Sequence, residues 1–310
     1  MAKQSVSRHG LDDLQSMAVF ARVVETRSFT AAARVLETTT SSVSKRIARL
    51  EERLNVPLIV RTTRAVSTTE AGLLFYERCE RILREVDDAE LAVTQLGATP
   101  RGTLRLSAPT ILGEAHLASL ITRFLEQYPD LRVDLDLSER PVNLVEEGYD
   151  LALRGLPLGA LPDSSLTAKR LATVRGITCA APSYLARRGV PRTLEDLAHH
   201  DCLHFTGIPL NKEWSFATPE GPRVVPVQCR VHTNNTSALR TAAISGAGIL
   251  RTAMVAVSDA IQSGALQIVL DEYASVDFGL YAVYPRSKQA LPKVKACLAF
   301  LAKELPPRLV

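Results

Sequence analysis

Residues 38–49 read TTTSSVSKRIAR, and this stretch decides the fold of the N-terminal part of the chain. Ser and Thr are mediocre helix formers, roughly half a kcal/mol worse than Ala per site. Nevertheless Val43, Ile47, Leu50 and Leu54 recur at the spacing of an amphipathic helix. The stretch therefore predicts a helix with an apolar inner stripe and an outer face of short hydroxyls and cations.

The outer face of this helix suits a polyanionic surface. Short hydroxyls let a helix backbone come close and donate hydrogen bonds, while Lys and Arg neutralise phosphate charge. An ordinary solvated helix is the alternative, and this helix alone does not decide between the two. The candidate DNA contacts on the helix are Thr39, Thr40, Ser41, Ser42, Ser44, Lys45, Arg46 and Arg49.

The flanking segments complete a winged helix-turn-helix pattern. Apolar spacing predicts one helix over about Asp12–Glu25 and a second one capped by Ser28, before the helix that Thr39 caps. After Asn55, a residue that tolerates a left-handed helix stop, residues 58–60 and 65–67 can form two short strands. The basic tip between these strands adds two further candidate DNA contacts, Arg61 and Arg64.

The charge distribution agrees with a nucleic-acid contact in the N-terminal part, and the composition argues against a membrane protein or a secreted one. Residues 1–69 hold 11 Lys and Arg against 6 Asp and Glu, within a net charge of +4 for the whole chain. No stretch has the 18 apolar residues of a membrane span, and MAKQSVSRHG (1–10) lacks the apolar segment of a secretory signal. The five scattered cysteines fit reduced thiols. We therefore expect a cytoplasmic protein without a membrane partner.

A long helix capped by Thr69 carries a heptad seam. Packing on its own domain is the alternative to pairing with a second chain. Pairing is favoured because nothing nearby in sequence offers a core for so long a seam. The predicted dimerisation residues are Phe75, Cys79, Ile82, Val86, Ala89, Val93 and Leu96.

Gly and Pro in residues 97–102 mark a boundary, after which strands and helices alternate and predict a parallel sheet. The predicted domains are a winged helix-turn-helix (11–69, with the helix-turn-helix at about 29–53), a linker helix (70–98) and an α/β domain (99–310). Lobe I covers about 100–173 and 274–310, and lobe II about 174–273. Predicted strands are 103–107, 131–137, 150–154, 177–182, 202–205, 224–229, 248–252, 266–270 and 280–285. Predicted helices are 112–127, 142–148, 183–188, 194–199, 235–245, 254–262 and 294–305.

The motifs SFTAAARVL (28–36), SSVSKRIARLEERL (41–54) and PLIVRTTRAVSTTEAG (57–72) resemble the winged helix-turn-helix of LysR-type transcriptional regulators. Similar motifs continue to SGAGIL (245–250). The resemblance implies an N-terminal all-α winged helix-turn-helix, a long linker helix and a two-lobed α/β effector domain similar to periplasmic solute-binding proteins. It implies a dimer or tetramer on an interrupted palindrome of double-stranded DNA, controlled by a small-molecule effector, and leaves open a contact with RNA polymerase. Thr40, Asn55 and Ile59 depart from the usual family residues.

The interlobe cleft should bind an anion. Two helix N-termini, one near Thr110 and one near Asn235, are predicted to converge there, and such ends favour a carboxylate. A plain cap is the favoured alternative for each polar candidate alone, and the joint placement of the candidates is what favours a ligand site. Arg251 stands within a run that is usually apolar in the family. The candidate effector contacts are Ser107, Thr110, Ser138, Arg154, Thr206, Asn234, Asn235 and Arg251.

The sequence carries no pattern of a catalytic or cofactor site. It contains no GxSxG elbow and no P-loop, and the spacing of His199, His200, Cys202 and His204 fits no standard zinc pattern. We therefore expect no enzyme, metal or cofactor. Two alternatives to a ligand-controlled regulator stay open: a cytoplasmic solute-binding protein, and an architectural DNA-binding protein without an active effector switch.

Overall fold

The chain divides into two compact units, Met1–Leu96 and Gly97–Val310. No helix within the described ranges is both long enough and apolar enough to cross a membrane. The computed structural model describes residues 8–61, 66–94, 99–157, 165–206, 213–218, 220–273 and 275–309.

The first unit is a winged helix-turn-helix followed by a long helix, as predicted. Ser28 Oγ accepts a hydrogen bond from Ala31 N and Thr39 Oγ1 accepts one from Ser42 N, both at 3.2 Å. Asn55 ends the third helix in the left-handed conformation, with φ of 52°. These three local predictions are confirmed. The elements are α1 (Arg8–Thr26), α2 (Phe29–Val35), α3 (Thr40–Leu54), β1 (Ile59–Arg61), β2 (Val66–Thr68) and α4 (Glu70–Thr94).

Hydrogen bonds and a close approach at the hairpin backbone fix β1 and β2 against α3 and α4. Glu51 Oε1, on α3, accepts hydrogen bonds from Leu58 N at 2.8 Å and Ile59 N at 3.0 Å. Thr69 N donates to Leu58 O at 3.0 Å just before α4 begins. A Cβ added at Gly72 would lie 1.9 Å from Leu58 O, so only glycine permits this approach. The position of the wing therefore follows from that of α3.

The second unit is built around one mixed sheet with helices packed against it. A π-helical turn at Gly113–Leu117 joins its first two helices into one continuous segment. Its elements are β3 (Gly102–Ala108), α5 (Thr110–Leu112), α6 (Ala118–Gln127), β4 (Leu131–Leu137), β5 (Leu151–Pro157), β6 (Leu166–Ala180), α7 (Pro182–Arg188), β7 (Asp201–Phe205), β8 (Glu213–Thr218), β9 (Gly221–Pro226), β10 (Gln228–Thr233), α8 (Thr236–Ile244), β11 (Ile249–Ala253), α9 (Ser258–Gln262), β12 (Gln267–Val269), β13 (Ser275–Pro285) and α10 (Pro292–Glu304).

The two-lobed α/β fold is confirmed, but the sheet is not purely parallel. The described strands run in the order β10-β7-β11-β6-β13-β5-β3-β4, with β12 beside β6 and β8 beside β13 and β9. Pairing is parallel between β3 and its neighbours β4 and β5, and between β7 and its neighbours β10 and β11. The long strands β6 and β13 are antiparallel to their partners and belong to both lobes. An alternation of strands and helices does not reveal such long antiparallel strands.

Two predicted elements differ from the structure for local reasons. The helix predicted at 142–148 is a set of turns. Asn143 Oδ1 accepts a hydrogen bond from Glu146 N, and Gly148 follows with φ of 71°. The strand predicted at 224–229 is interrupted at Val227, between β9 and β10. In addition, the predicted helix at 194–199 is a 3₁₀ helix, and the helix at 254–262 is a 3₁₀ turn followed by α9.

Candidate functional site

The outer face of α3 carries the predicted hydroxyl and cationic side chains. Val43 and Ile47 of the inner stripe are only 1% and 0% exposed. The wing residue Arg64 lies outside the described residues, as does the side chain of Arg61. Ser44 and Arg46 are half-buried on the flanks. The exposed members are Thr39, Thr40, Ser41, Ser42, Lys45 and Arg49. We call these residues, together with Ser44 and Arg46, the α3 face.

A groove along the α3 face includes side chains that the sequence did not indicate. Its wall also contains Asp13, Ser16 and Arg53. Arg53 is ion-paired with Asp13, and Arg46 Nη1 donates a hydrogen bond to Gln15 Oε1 at 3.0 Å. Residues of α1 thus orient two cations of the groove, leaving Lys45 and Arg49 as its exposed cations from the predicted set.

The predicted seam on α4 is divided between two environments. Cys79 is fully buried, and the ring of Phe75 lies 5.4 Å from that of Phe20 in the core of the same unit. The dimerisation prediction is therefore corrected for Phe75 and Cys79, because α1 packs against this part of α4. Leu96 and the side chain of Val93 lie outside the described residues. Three seam positions are accessible: Ile82 is half-buried, Val86 is 38% exposed and Ala89 is exposed.

A cavity of about 300 Å³ lies between the lobes of the second unit. Residues of both lobes contribute to its mostly apolar wall, which includes the rings of Phe205 and Trp214. A concave, apolar site with a few polar groups is typical of small-molecule sites. The polar side chains in the described wall belong to Glu139, His204, Glu213, Thr236, Arg251 and Thr252.

Arg251, predicted to contact a ligand, contributes a guanidinium group to the described wall of this cavity. Its guanidinium carbon lies 5.1 Å from the centre of the Phe216 ring. Its Nε is buried and has no hydrogen-bond partner among the described residues. Burial lowers the pKa of Arg251. A buried guanidinium with an unsatisfied donor is unfavourable, and a bound anion would satisfy it.

The two helix N-termini do converge, but a carboxylate of the protein lies between them. Thr110 N donates a hydrogen bond to Glu139 Oε1 at 3.2 Å, and Thr236, the first residue of α8, lines the same cavity beside this carboxylate and favours its charged form. Burial raises the pKa of Glu139. Glu139 was not among the predicted site residues, although its position just after β4 was a usable signal. Trp214 was not predicted either, because it lies on β8, a strand that the sequence pattern did not indicate.

Three of the predicted effector contacts form internal hydrogen bonds. Arg154 Nη2 donates to Ser107 Oγ at 2.9 Å and to Arg140 O at 3.2 Å. Burial lowers the pKa of Arg154. Ser138 Oγ accepts a hydrogen bond from Arg140 N at 3.2 Å. Arg154 and Ser107 therefore link the strands β5 and β3, and Ser138 is engaged in a local bond just after β4.

The other predicted contacts also lie beside the cavity rather than in its wall. Thr206 and Asn234 are exposed. Asn235 caps α8, accepting a hydrogen bond from Ala238 N at 2.8 Å. Thr110 contributes its backbone N–H to Glu139. Within the described part of the wall, Arg251 is the sole member of the predicted set.

The histidines near β7 have separate surroundings. His200 Nδ1 lies 3.1 Å from the Tyr184 hydroxyl, and the ring of His204 lies 5.8 Å from that of His232. Across the residues that the structure describes, no group of three His, Cys, Asp or Glu side chains is arranged to hold a metal ion.

A winged helix-turn-helix with an exposed cationic face, followed by a two-lobed unit with a ligand-sized cavity, defines a DNA-binding regulator. Residues 14–73 match the family described as bacterial regulatory helix-turn-helix protein, lysR family. Residues 97–306 match the LysR substrate binding domain. The HTH-type transcriptional activator AaeR of Escherichia coli K12 is 37% identical over 290 residues, which cover 93% of this chain and 92% of that protein.

Solved structures of full-length regulators show the same likeness. CrgA, a LysR-type regulator from Neisseria meningitidis, is 34% identical with a TM-score of 0.60, over 94% of this chain and 98% of that chain. The virulence activator AphB of Vibrio cholerae is 28% identical with a TM-score of 0.61, over 93% of this chain and 98% of that chain.

The chain belongs to the LysR family of transcriptional regulators. Members of this family are not enzymes; they bind DNA and small-molecule effectors and form oligomers. The first unit therefore contains the DNA-binding domain and the second is the effector-binding domain. The predicted family and fold are confirmed, and the alternative of a solute-binding protein without DNA binding is set aside.

Proposed function

We propose that this protein is a homodimeric or homotetrameric regulator that binds an interrupted palindrome and responds to a small carboxylate in the interlobe cavity. The observation that carries the effector assignment is the unsatisfied, buried Nε of Arg251 in a mostly apolar cavity. Its domains are the winged helix-turn-helix (11–69), the linker helix (70–98) and the effector domain (99–310).

The α3 face is proposed to enter the major groove. Its hydroxyls would donate to phosphates or base edges, and Lys45 and Arg49 would neutralise phosphate charge. Arg61 and Arg64 of the wing would contact a flanking groove. Because Glu51 ties the wing to α3, both contacts would form on the same side of the duplex.

The accessible half of the α4 seam is proposed to pair two chains. Its first residues pack within their own unit, while Val86 and Ala89 are exposed further along the helix. A two-fold pair would present two α3 faces, which requires two half-sites about one helical turn or more apart. This arrangement explains the expected interrupted palindrome.

Val86→Glu should shift the protein toward monomers, because it places a charge in an apolar helix pair. We expect at least a tenfold higher dissociation constant of the dimer, since a buried charge costs roughly 2 kcal/mol or more. Analytical ultracentrifugation over a concentration series measures this. Val190→Glu is the matched control, because Val190 is an exposed valine of the second unit. Equal dissociation constants for both variants would contradict the α4 interface.

A carboxylate at Arg251 is proposed to act by changing the relative position of the lobes. The strands β6 and β13 belong to both lobes, so they are the natural hinge. Such a ligand shifts DNA binding only if it binds two lobe arrangements with different affinities.

Arg251→Ala should strongly weaken carboxylate binding without unfolding the protein. With benzoate as the probe, we expect about a 10- to 100-fold loss of affinity, the size of a lost charge-assisted hydrogen-bond pair. Isothermal titration calorimetry measures it. The ligand-free variant should stay about as stable as the wild type, because a buried unsatisfied donor is removed.

Arg175→Ala is the matched control for this variant. Arg175 is exposed and ion-paired with Asp271, and it does not belong to the described cavity wall. Unchanged benzoate affinity in Arg251→Ala, or an equal loss in Arg175→Ala, would refute the assignment of Arg251.

A further inference from the structure

Glu139 adds an acidic side chain to the cavity wall that also contains the basic side chain of Arg251. Its carboxylate accepts a hydrogen bond from Thr110 N at the start of the α5 segment and lies beside Thr236 at the start of α8. Both Glu139 and Arg251 line the same cavity. The helix ends that could have bound a ligand anion are therefore already occupied by an anion of the chain.

The neighbouring contacts reinforce this arrangement. Ser237 Oγ, in the first turn of α8, donates a hydrogen bond to Glu114 Oε2 at 3.3 Å. Thus two lobe I carboxylates approach the start of α8 in lobe II. A ligand carboxylate directed to this end would approach the like charge of Glu139, which is half-buried and therefore only partly screened, whereas the exposed Glu114 is screened by water.

Glu139 keeps unused acceptor capacity. A carboxylate has about four lone-pair sites, of which Thr110 N occupies one and the neighbouring Thr236 hydroxyl is placed to occupy at most one more. A hydrogen-bond donor on a ligand would therefore be accepted at the same end of the cavity.

We propose that Glu139 is a specificity-determining residue of the cavity. Because of Glu139, the cavity selects a ligand that has one carboxylate and one neutral hydrogen-bond donor. It rejects the dicarboxylate of the same shape. This inference rests on the proposed function, because it requires that the single carboxylate binds at Arg251. The cavity volume of about 300 Å³ accommodates a single aromatic ring with two substituents.

The test uses the full-length protein and three matched pairs of probes in calorimetry. Phthalate, isophthalate and terephthalate are each compared with their own monoamide, which keeps the shape but replaces one carboxylate by a neutral donor. For the tightest-binding monoamide, we expect about a tenfold or greater preference over its dicarboxylate in the wild type. The wild-type ratio alone already tests the inference, whatever the stability of any variant.

Glu139→Gln should reduce this preference to about threefold or less, because Gln keeps an oxygen for Thr110 N but removes the charge. Glu213→Gln is the matched control: Glu213 is the other carboxylate of the described wall, but it is exposed, so solvent screens it. This control should keep the wild-type ratio.

The outcomes separate this inference from the proposed function. If monoamides bind in an Arg251-dependent way but dicarboxylates bind equally well, or Glu139→Gln leaves the ratio unchanged, the role of Glu139 is overturned and that of Arg251 stands. If no probe binds, or if Arg251→Ala leaves the affinities of the probes unchanged, the proposed carboxylate site fails and this inference fails with it.

Discussion

Arg49→Glu is expected to abolish specific DNA binding. Arg49 is exposed on the α3 face, and its charge reversal would replace attraction to a phosphate or base edge by repulsion in both half-sites. We expect at least about a 100-fold loss of affinity for a selected duplex near physiological salt, since one such contact is worth about 1–3 kcal/mol and a dimer makes it twice. Fluorescence anisotropy with a labelled duplex measures the affinity.

The salt dependence of the same titration separates a local contact from net charge. The slope of log K against log salt should become shallower by roughly one for each phosphate that the variant no longer neutralises. Arg192→Glu, at an exposed residue of the second unit, changes the net charge equally and is the control. Retained affinity in Arg49→Glu, or an equal loss in the control, would refute the proposed docking face.

Asp150→Asn should destabilise the effector domain more than any surface substitution. Asp150 is 2% exposed and accepts hydrogen bonds from Lys288 Nζ at 3.0 Å and Arg105 N at 2.9 Å. Its other buried ion pair is with Lys293 Nζ at 3.1 Å. Removing the carboxylate charge breaks two buried ion pairs at once, so we expect a loss of about 3–5 kcal/mol in the free energy of unfolding.

Urea unfolding followed by circular dichroism measures this loss. Asp259→Asn is the matched control, because Asp259 pairs with Arg240 at the surface with 73% of its side chain exposed. Such exposed pairs contribute about 0–1 kcal/mol. A loss below about 1 kcal/mol for Asp150→Asn, similar to the control, would show that the buried lysines do not depend on this carboxylate.

Much of the DNA-binding unit could be predicted because its signals are local. The caps at Ser28 and Thr39 bond to backbone amides three residues away. The buried and exposed faces of α3 follow directly from the helical period. The family resemblance also made the two-lobed fold predictable from the sequence.

The rest depends on contacts that the sequence does not display. The α4 heptad pattern is real, but Phe75 and Cys79 pack on α1 because α1 covers the start of that helix. Periodicity marks an apolar stripe without saying which partner covers it. In the same way, α1 residues such as Gln15 reach the α3 face across about thirty positions of sequence.

The ligand cavity shows the same limit. Ser107 and Arg154 were chosen because they lie at strand ends, but they bond to each other. A ligand carboxylate is predicted from the sequence between two helix N-termini, but the carboxylate at that place is Glu139 of the chain itself. Arg251 is predicted because it stands within a run that is usually apolar in the family, which is a signal from the family resemblance and not from geometry.

The central claim is that the α3 face binds a specific duplex. The most direct measurement is selection of duplexes from a randomised pool by the full-length protein, followed by a hydroxyl-radical footprint on the winning sequence. We expect an interrupted palindrome with two protected segments about one helical turn or more apart, both absent in Arg49→Glu. Failure of the folded protein to enrich any sequence over bulk competitor DNA would contradict it.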